Sequence, residues 1–540
     1  MAARAGRRVA TRFLSVLPEL ATFIPMAWIY LYNSWRFAYP VGYAGLYSLM
    51  AELLARQPFP LPQEIPYYGP GGIPFAYPPA AAYLASLFVG PLRVPMLSYM
   101  RWEPAIVCVL AMVGVYLLGR ELSGDRAKGL VAAALTFSAT TIYEYHATAS
   151  GSVRGFALLW SVLGACFALK AYGEGRRWLV HAIIAGGCLA MTAMTHLAYA
   201  AFLVLGIVLM CLMSPGRRPI KSRLSVLAVV GVAGLVFAAP WWGLVIARYG
   251  PNVFIHASTT HSTGGLALVV GGRPLGLVRA LAGWYADLGR EWWPPSFLGV
   301  TSLSLAYGLI RGRWLAPAWA VATVVTLGQS DRFQILLVGF LAGDLLVDIA
   351  HMAASRTRWP ERLGGEAVAQ SAFLVLAIFP TLLLGFRGIQ WKGPTLSADS
   401  IELGDWIDDH TPVGSRYLYV GGDHDLGEWL PYLAHRTPGV SPWGAEWTGE
   451  YGVQLERMDA VVNCVTSRQM SCVDEFIEST GDPIDWLVVP VSDEPWTASD
   501  YPSDWVQVFQ NDRFRVLQRV SGSSIIISSS GAGFPRAESN

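Results

Sequence analysis

The sequence predicts an α-helical polytopic membrane protein, with about eleven transmembrane helices, that carries a C-terminal α/β domain outside the bilayer. Three observations carry this expectation. Of 540 residues, 53% are hydrophobic and 14% are charged, and the mean hydropathy is +0.40, so polar groups are too few to cover a soluble globule. Apolar runs suited to a bilayer recur between residues 17 and 386, each needing roughly 17 to 25 residues to cross. The formal net charge of +1 is divided unevenly, with 23 acidic and nine basic side chains from Trp391 onward, so the two regions face different surroundings. The composition disfavours disorder, collagen-like repetition and nucleic-acid binding.

The first span covers 17–32 and follows Arg4, Arg7, Arg8 and Arg12, which places the N-terminus in the cytoplasm. No small-residue cleavage site follows, so it reads as an anchor. The stretch 34–103 is dense in Pro, Tyr and Gly. Its apolar run 80–89 stops at Gly90-Pro91, too short to cross and expected as an interfacial or re-entrant helix within one outside loop. Further spans are expected at 104–118, 130–143, 156–171, 179–194, 198–213, 224–245, 297–310, 315–327, 333–349 and 371–386. With this assignment Arg120, Arg126, Lys128, Lys170, Arg176, Arg177, Arg217, Arg218, Lys221, Arg223, Arg311, Arg313, Arg356, Arg358 and Arg362 all fall inside, and the C-terminus lies outside.

The transmembrane region thus spans 1–390, with a second outside loop at 248–295, and an extracytoplasmic α/β domain spans 391–520. An amphipathic stretch at 400–409 and strand-like runs at 417–420, 486–491 and 514–519 indicate mixed structure there,. The Ser- and Gly-rich tail 521–540 is expected to be mobile,. Cys108, Cys166, Cys188 and Cys211 fall in spans as small packing residues,. Cys464 and Cys472 lie outside, where an oxidising compartment allows a disulfide between them,. Neither pair has zinc spacing and no His cluster supplies a metal site.

Ionisable side chains at the outer ends of spans are the candidates for chemistry, because they are costly in hydrocarbon. Glu64 precedes the aromatic, Gly-rich turn containing Tyr67 and Tyr68, with Tyr77 in the following Tyr-Pro-Pro element, a composition that shapes pockets. Glu52 sits in a helical pattern and reads as a solvated face. Glu144, His146 and Arg154 share one turn; together they could position a hydroxyl and bind a phosphate, or Glu144 and Arg154 could close the loop as an ion pair. His196 lies at a hairpin turn, and Asp331-Arg332 stands at the outer start of a late span, where Arg332 could meet a lipid phosphate,. Trp241-Trp242 and Trp292-Trp293 read as interfacial belts,. Asp344 and Asp348 lie toward the inner end as structural residues.

The segments IPYYGPGGIPFAYPP (65–79), YEYHATASGSVRGFALL (143–159), MTHLAYAAF (194–202), APWWGLVIARYG (239–250), DRF (331–333) and EWLPYLAHR (428–436) resemble the GT-C superfamily of integral-membrane glycosyltransferases. The likeness is to members similar to dolichyl-phosphate-mannose-protein mannosyltransferases and covers most of the chain. It implies an enzyme of the plasma membrane and cell envelope that transfers a sugar from a polyprenyl-phosphate donor, with no further cofactor, to a glycan, lipid or protein acceptor on the extracytoplasmic face. By that resemblance Glu64 is the base, Glu144 and His146 assist, and Tyr67, Tyr68, Tyr77, Arg154, His196 and Arg332 bind substrate or lipid phosphate. Members usually carry an acid just beyond the first span, and 34–43 has none. Glu64 or Glu52 takes that place, or the chain is a non-catalytic GT-C-fold subunit that serves as a scaffold or binds a partner.

Overall fold

The computed structural model describes residues 2–57, 60–69, 71–173, 175–213, 218–260, 296–327, 331–356, 365–390, 392–467, 470–491 and 504–520. Arg217, Arg358, Arg362, the Trp292-Trp293 pair, most of the 248–295 loop and the 521–540 tail lie outside the described residues. The N-terminal region is a helical bundle. Helix α1 (Ala2–Arg36) leads into α2 (Gly45–Arg56), a short hairpin of β1 (Glu64–Ile65) and β2 (Ile73–Pro74), and α3 (Ala80–Val89). The bundle continues with α4 (Met96–Ser123), α5 (Arg126–Ser138), α6 (Thr140–His146), α7 (Gly151–Tyr172), α8 (Trp178–Ala193), α9 (Leu197–Met213), α10 (Ile220–Tyr249) and α11 (Asn252–Thr259). It ends with α12 (Ser296–Ile310), α13 (Leu315–Leu327), α14 (Asp331–Arg356) and α15 (Gly365–Gln390).

Among the described residues, α4, α7, α10 and α14 are each long and apolar enough to cross a membrane, and the chain is a multi-pass membrane protein. Helix α3 has ten residues, about 15 Å at 1.5 Å per residue, half of the roughly 30 Å hydrocarbon layer. The span expected at 130–143 is not continuous. It breaks at Ala139, whose backbone is extended between α5 and α6. The sequence Ser138-Ala139-Thr140-Thr141 supplies hydroxyls that compete for backbone partners, and Ser138 Oγ bonds the Leu135 carbonyl at 2.7 Å. The break also lets α15 approach, since a Cβ at Gly385 would lie 2.1 Å from the Ser138 carbonyl oxygen.

The C-terminal region folds around a five-stranded sheet. Its helices are α16 (Ala398–His410), α17 (His424–Ala434), α18 (Tyr451–Ser467) and α19 (Met470–Thr480), with a 3-10 turn at Ala445–Trp447. The strands β3 (Arg416–Tyr419), β4 (Thr437–Pro438), β5 (Trp486–Pro490), β6 (Trp505–Gln510) and β7 (Phe514–Arg519) lie in the order β4-β3-β5-β7-β6. The first three strands in that order run parallel and β7 and β6 are antiparallel, as an α/β crossover followed by a closing hairpin requires. Cys464 and Cys472 form a disulfide between α18 and α19, with Cα atoms 5.5 Å apart.

Two cores matter for position. One fills the bundle around Val115, Phe137, Tyr199 and Phe333. The second is shared: Leu46, Tyr68 and Phe75 of the first loop pack with Leu403, Trp429 and Val488 of the C-terminal region. Burial of apolar area at this seam, at about 25 cal/mol per Å², holds the loop and the sheet on the same end of the bundle.

Candidate functional site

Two arginines define a mouth at the end of the bundle that meets the first loop. Arg154 lies in the first turn of α7 and Arg332 in the first turn of α14, where the positive end of the helix dipole disfavours a cation. Both are half-buried. Neither forms an ion pair among the described residues, and the Nε of each has no hydrogen-bond partner. They face aromatic rings instead. Arg154 donates to the Tyr43 hydroxyl at 2.7 Å and stands 5.4 Å from the Tyr145 ring centre. Arg332 lies 4.9 Å from the same Tyr145 ring and 5.4 Å from Tyr199. Cation–π contact offsets part of the desolvation cost but leaves guanidinium donors available to an anion.

The histidines sit behind this pair. His146 Nδ1 is 2.8 Å from the Ile142 carbonyl, so it donates there, and Nε2 therefore accepts from the Tyr199 hydroxyl at 2.5 Å,. With both nitrogens engaged and the ring buried, His146 holds the Tyr199 hydroxyl in place and has no free ring nitrogen turned to the mouth. His196 packs edge-on against Tyr199 at 5.2 Å, and its Nδ1 accepts from the Ala198 amide at 3.3 Å.

The other wall comes from the first loop and the C-terminal region. Tyr47 of α2 packs edge-on against Tyr77 at 6.4 Å, and Tyr47 feels the charges of Arg154 and Glu446 together. The Tyr77 hydroxyl donates to Glu446 in the 3-10 turn. Burial raises the Glu446 carboxyl above its ordinary range, partly offset by that hydrogen bond. A clamp holds this wall: the Glu428 carboxylate accepts the Gly45 and Leu46 amides at 2.7 and 2.8 Å, capping α2 from another part of the chain,. Gly45 is required there, because a Cβ would meet the Tyr68 hydroxyl at 2.5 Å and the Glu428 carbonyl at 2.6 Å. Trp429 Nε1 donates to the Gly42 carbonyl at 2.9 Å.

With this geometry in view, solved structures supply a comparison. The archaeal oligosaccharyltransferase AglB from Archaeoglobus fulgidus, in complex with an inhibitory peptide and a dolichol-phosphate, superposes with a TM-score of 0.59 at 15% identity, over 87% of this chain and 69% of that one. ArnT from Cupriavidus metallidurans superposes in its apo state with a TM-score of 0.52 at 16% identity, over 94% of this chain and 98% of that one. The same protein bound to undecaprenyl phosphate gives 0.50. The chain has the GT-C fold. No protein-family model matches it, and no curated protein matches it in sequence.

Within this GT-C fold the expected residues separate into two groups. Tyr77, Arg154, His196 and Arg332 converge on the mouth, with His146 behind them. Glu64 does not join them: it is exposed on β1 while its neighbour Ile65 is buried, because strand alternation sends the two to opposite faces. Glu144 forms an ion pair with Lys392 at 2.6 Å, its side chain 41% exposed, so the Glu144–Arg154 pair is not formed. Tyr67 packs against His435 at 6.0 Å and Tyr68 bonds the Glu428 carbonyl at 2.8 Å, both in the seam. Glu52 accepts from the Tyr432 hydroxyl at 2.6 Å. Sequence reasoning missed Tyr43, Tyr47, Tyr145, Tyr199 and Glu446. Tyr145 carried a signal in lying between Glu144 and His146; Glu446 carried none short of its burial. Among the described residues no three His, Cys, Asp or Glu side chains gather to hold a metal ion.

Proposed function

We propose that this chain is a membrane glycosyltransferase that moves a sugar from a polyprenyl-phosphate donor to a glycan, lipid or protein acceptor on the extracytoplasmic face of the plasma membrane. The observation that carries the reading is the pair Arg154 and Arg332, half-buried, without a carboxylate in ion-pair contact among the described residues and sharing the face of Tyr145. An uncompensated pair of cations in a low-dielectric mouth costs stability unless an anion arrives, and a phosphate on a lipid anchored beside the helices is such an anion. The solved structures of this fold that hold dolichol-phosphate or undecaprenyl phosphate support that chemistry.

The sugar would lie over Tyr43, Tyr47 and Tyr77, whose rings offer apolar faces and whose hydroxyls offer donors. Charge on the departing phosphate is met by guanidinium groups, so the reading invokes no cofactor. The clustering of basic residues at the opposite end of the bundle supports about eleven crossings with the N-terminus inside and the C-terminal sheet outside.

The test uses purified full-length protein in lipid nanodiscs, with radiolabelled undecaprenyl phosphate for binding and a panel of labelled polyprenyl-phosphate sugars for transfer. Wild type should retain the lipid phosphate and release label from the donor in the presence of a membrane extract as acceptor source. Absence of both overturns the reading; retention without transfer favours the non-catalytic subunit.

A further inference from the structure

The usual acid beyond the first span is missing, Glu64 faces solvent and Glu144 is paired with Lys392, yet a transfer of this kind needs a group to take the acceptor proton. We propose that Glu446, supplied by the C-terminal region and not by the first loop, is the general base that deprotonates the acceptor hydroxyl. This deepens the reading above and rests on it.

Three observations place Glu446 in that role. It sits in the turn Ala445–Trp447, half-buried, with Trp447 against Tyr77 at 5.1 Å between ring centres. Among the described residues its side-chain hydrogen-bond donor is the Tyr77 hydroxyl, a neutral group from the first loop, and no cation pairs with the carboxylate to quench its basicity. Tyr47 lies within the field of both Glu446 and Arg154, so the carboxylate and the phosphate-binding guanidinium lie about one tyrosine layer.

Another carboxylate adjoins the mouth. Asp331 accepts the Arg332 amide at 2.9 Å and influences Tyr145 and Tyr199. It therefore stands on the phosphate side. In an inverting displacement the acceptor approaches from the face opposite the leaving phosphate, so a base beside Arg332 is on the wrong side and one beyond Tyr47 is on the right side. The step balances as follows. The acceptor O–H proton passes to a Glu446 carboxylate oxygen while the acceptor oxygen bonds the anomeric carbon. The bond from that carbon to the phosphate oxygen breaks, and its electron pair leaves on the polyprenyl phosphate, facing Arg154 and Arg332.

The groups that set the proton affinity of Glu446 are few. Tyr77 and Tyr47 face it from the first loop, Tyr451 from the start of α18, and α11 brings His256 beside Gly449, where an added Cβ would lie 3.4 Å from its ring. Burial raises the carboxyl and the Tyr77 bond lowers it, so the acidic limb of the rate profile should lie above the ordinary carboxylate range, with activity lost as pH falls through it.

The experiment compares wild type, E446Q, Y77F and D331N in nanodiscs, reading labelled undecaprenyl phosphate retention, single-turnover transfer from the labelled donor active with wild type, and the pH profile. For E446Q, retention within about twofold of wild type and transfer lower by about 100-fold or more is expected. For Y77F, the loss of a bond that favours the anion moves the acidic limb to higher pH, which a merely structural tyrosine would not do. Transfer by E446Q within threefold of wild type overturns the assignment while leaving the transferase reading intact, as does loss of the acidic limb in D331N with its persistence in E446Q. Wild type that neither retains lipid phosphate nor transfers label sinks the transferase reading and this base with it.

Discussion

The two ends of the helical bundle treat buried cations in opposite ways. At the end away from the sheet, Lys128 pairs with Asp348 at 2.7 Å and Asp344 at 3.6 Å, and Arg313 also pairs with Asp344. Arg126, 52% exposed, adds a surface pair with Glu19 at 2.5 Å. At the mouth, Arg154 and Arg332 have tyrosine faces and, among the described residues, no carboxylate in ion-pair contact. From Arg332 to Asp348 is about 24 Å along α14 at 1.5 Å per residue, so one helix displays both regimes. A closed ion-pair clasp ties α5 to α14 and needs nothing further. An open pair of guanidiniums fits the incoming anion proposed above, and the contrast between the two ends is drawn without appeal to sequence kinship.

The largest effect expected from breaking this contrast is at the mouth. Each charge-assisted bond to phosphate is worth about 1.5–3 kcal/mol, so the double variant R154A/R332A should bind undecaprenyl phosphate about 1,000-fold more weakly. Its melting temperature in detergent should hold or rise, because two cations leave helix N-termini. A variant that melts early and binds normally would make the arginines structural and erase the distinction.

At the clasp the outcome should be reversed. K128A removes one partner of Asp348 and Asp344, two carboxylates with side chains 19% and 12% exposed; Arg313 stays on Asp344 and Tyr307 on Asp348, so the cost is that of a lost charged hydrogen bond, about 1.5–3 kcal/mol. Thermal unfolding should show that loss, with lipid-phosphate affinity in the folded fraction unchanged. A fall in affinity equal to that of the arginine variant would show that the two ends are coupled.

How much of this was legible in the sequence differs between the same two ends. Apolar runs and the Gly90-Pro91 stop gave the bundle and the short α3, because hydrophobicity and helix length are local quantities. Arg154 and Arg332 were legible too, as costly cations near the ends of apolar segments. The carboxylates were not. Glu64 stands close in sequence to Tyr67 and Tyr68, but the pleat of β1 turns it to solvent, and only register decides which of two neighbours faces inward. Glu446 is 369 positions from Tyr77; no spacing rule spans that gap, and the pairing exists only because the seam core brings loop and sheet together. Ala139 was hidden for a related reason, since the contact that its extended backbone makes room for comes from Gly385 of α15, far along the chain.

Glu428 offers a third way to hold a buried charge, between the closed clasp and the open mouth. It is 1% exposed and meets two backbone amides, with no cation in contact. Burial outweighs those amides and pushes its carboxyl up to about 8. An unfolded glutamate titrates near ~4.3, so between those values the folded chain keeps a proton that the unfolded chain releases. Stability contributed by this group is therefore present below about pH 4 and declines as pH rises toward 8, then levels off. The expected signal is a gradual slope: roughly 5 kcal/mol of proton linkage lost across that window, a fall of about 4–5 °C in melting temperature, absent in E428Q, which has no proton to lose. E428Q should itself melt lower than wild type at every pH, because its amide can accept from one of the Gly45 and Leu46 N–H groups but presents a donor to the other. A wild-type melting temperature that is flat from pH 5 to 8 would mean the two amides hold the carboxylate ionised, and the seam would then be an anion bound at a helix N-terminus in the same sense as the phosphate proposed at the mouth.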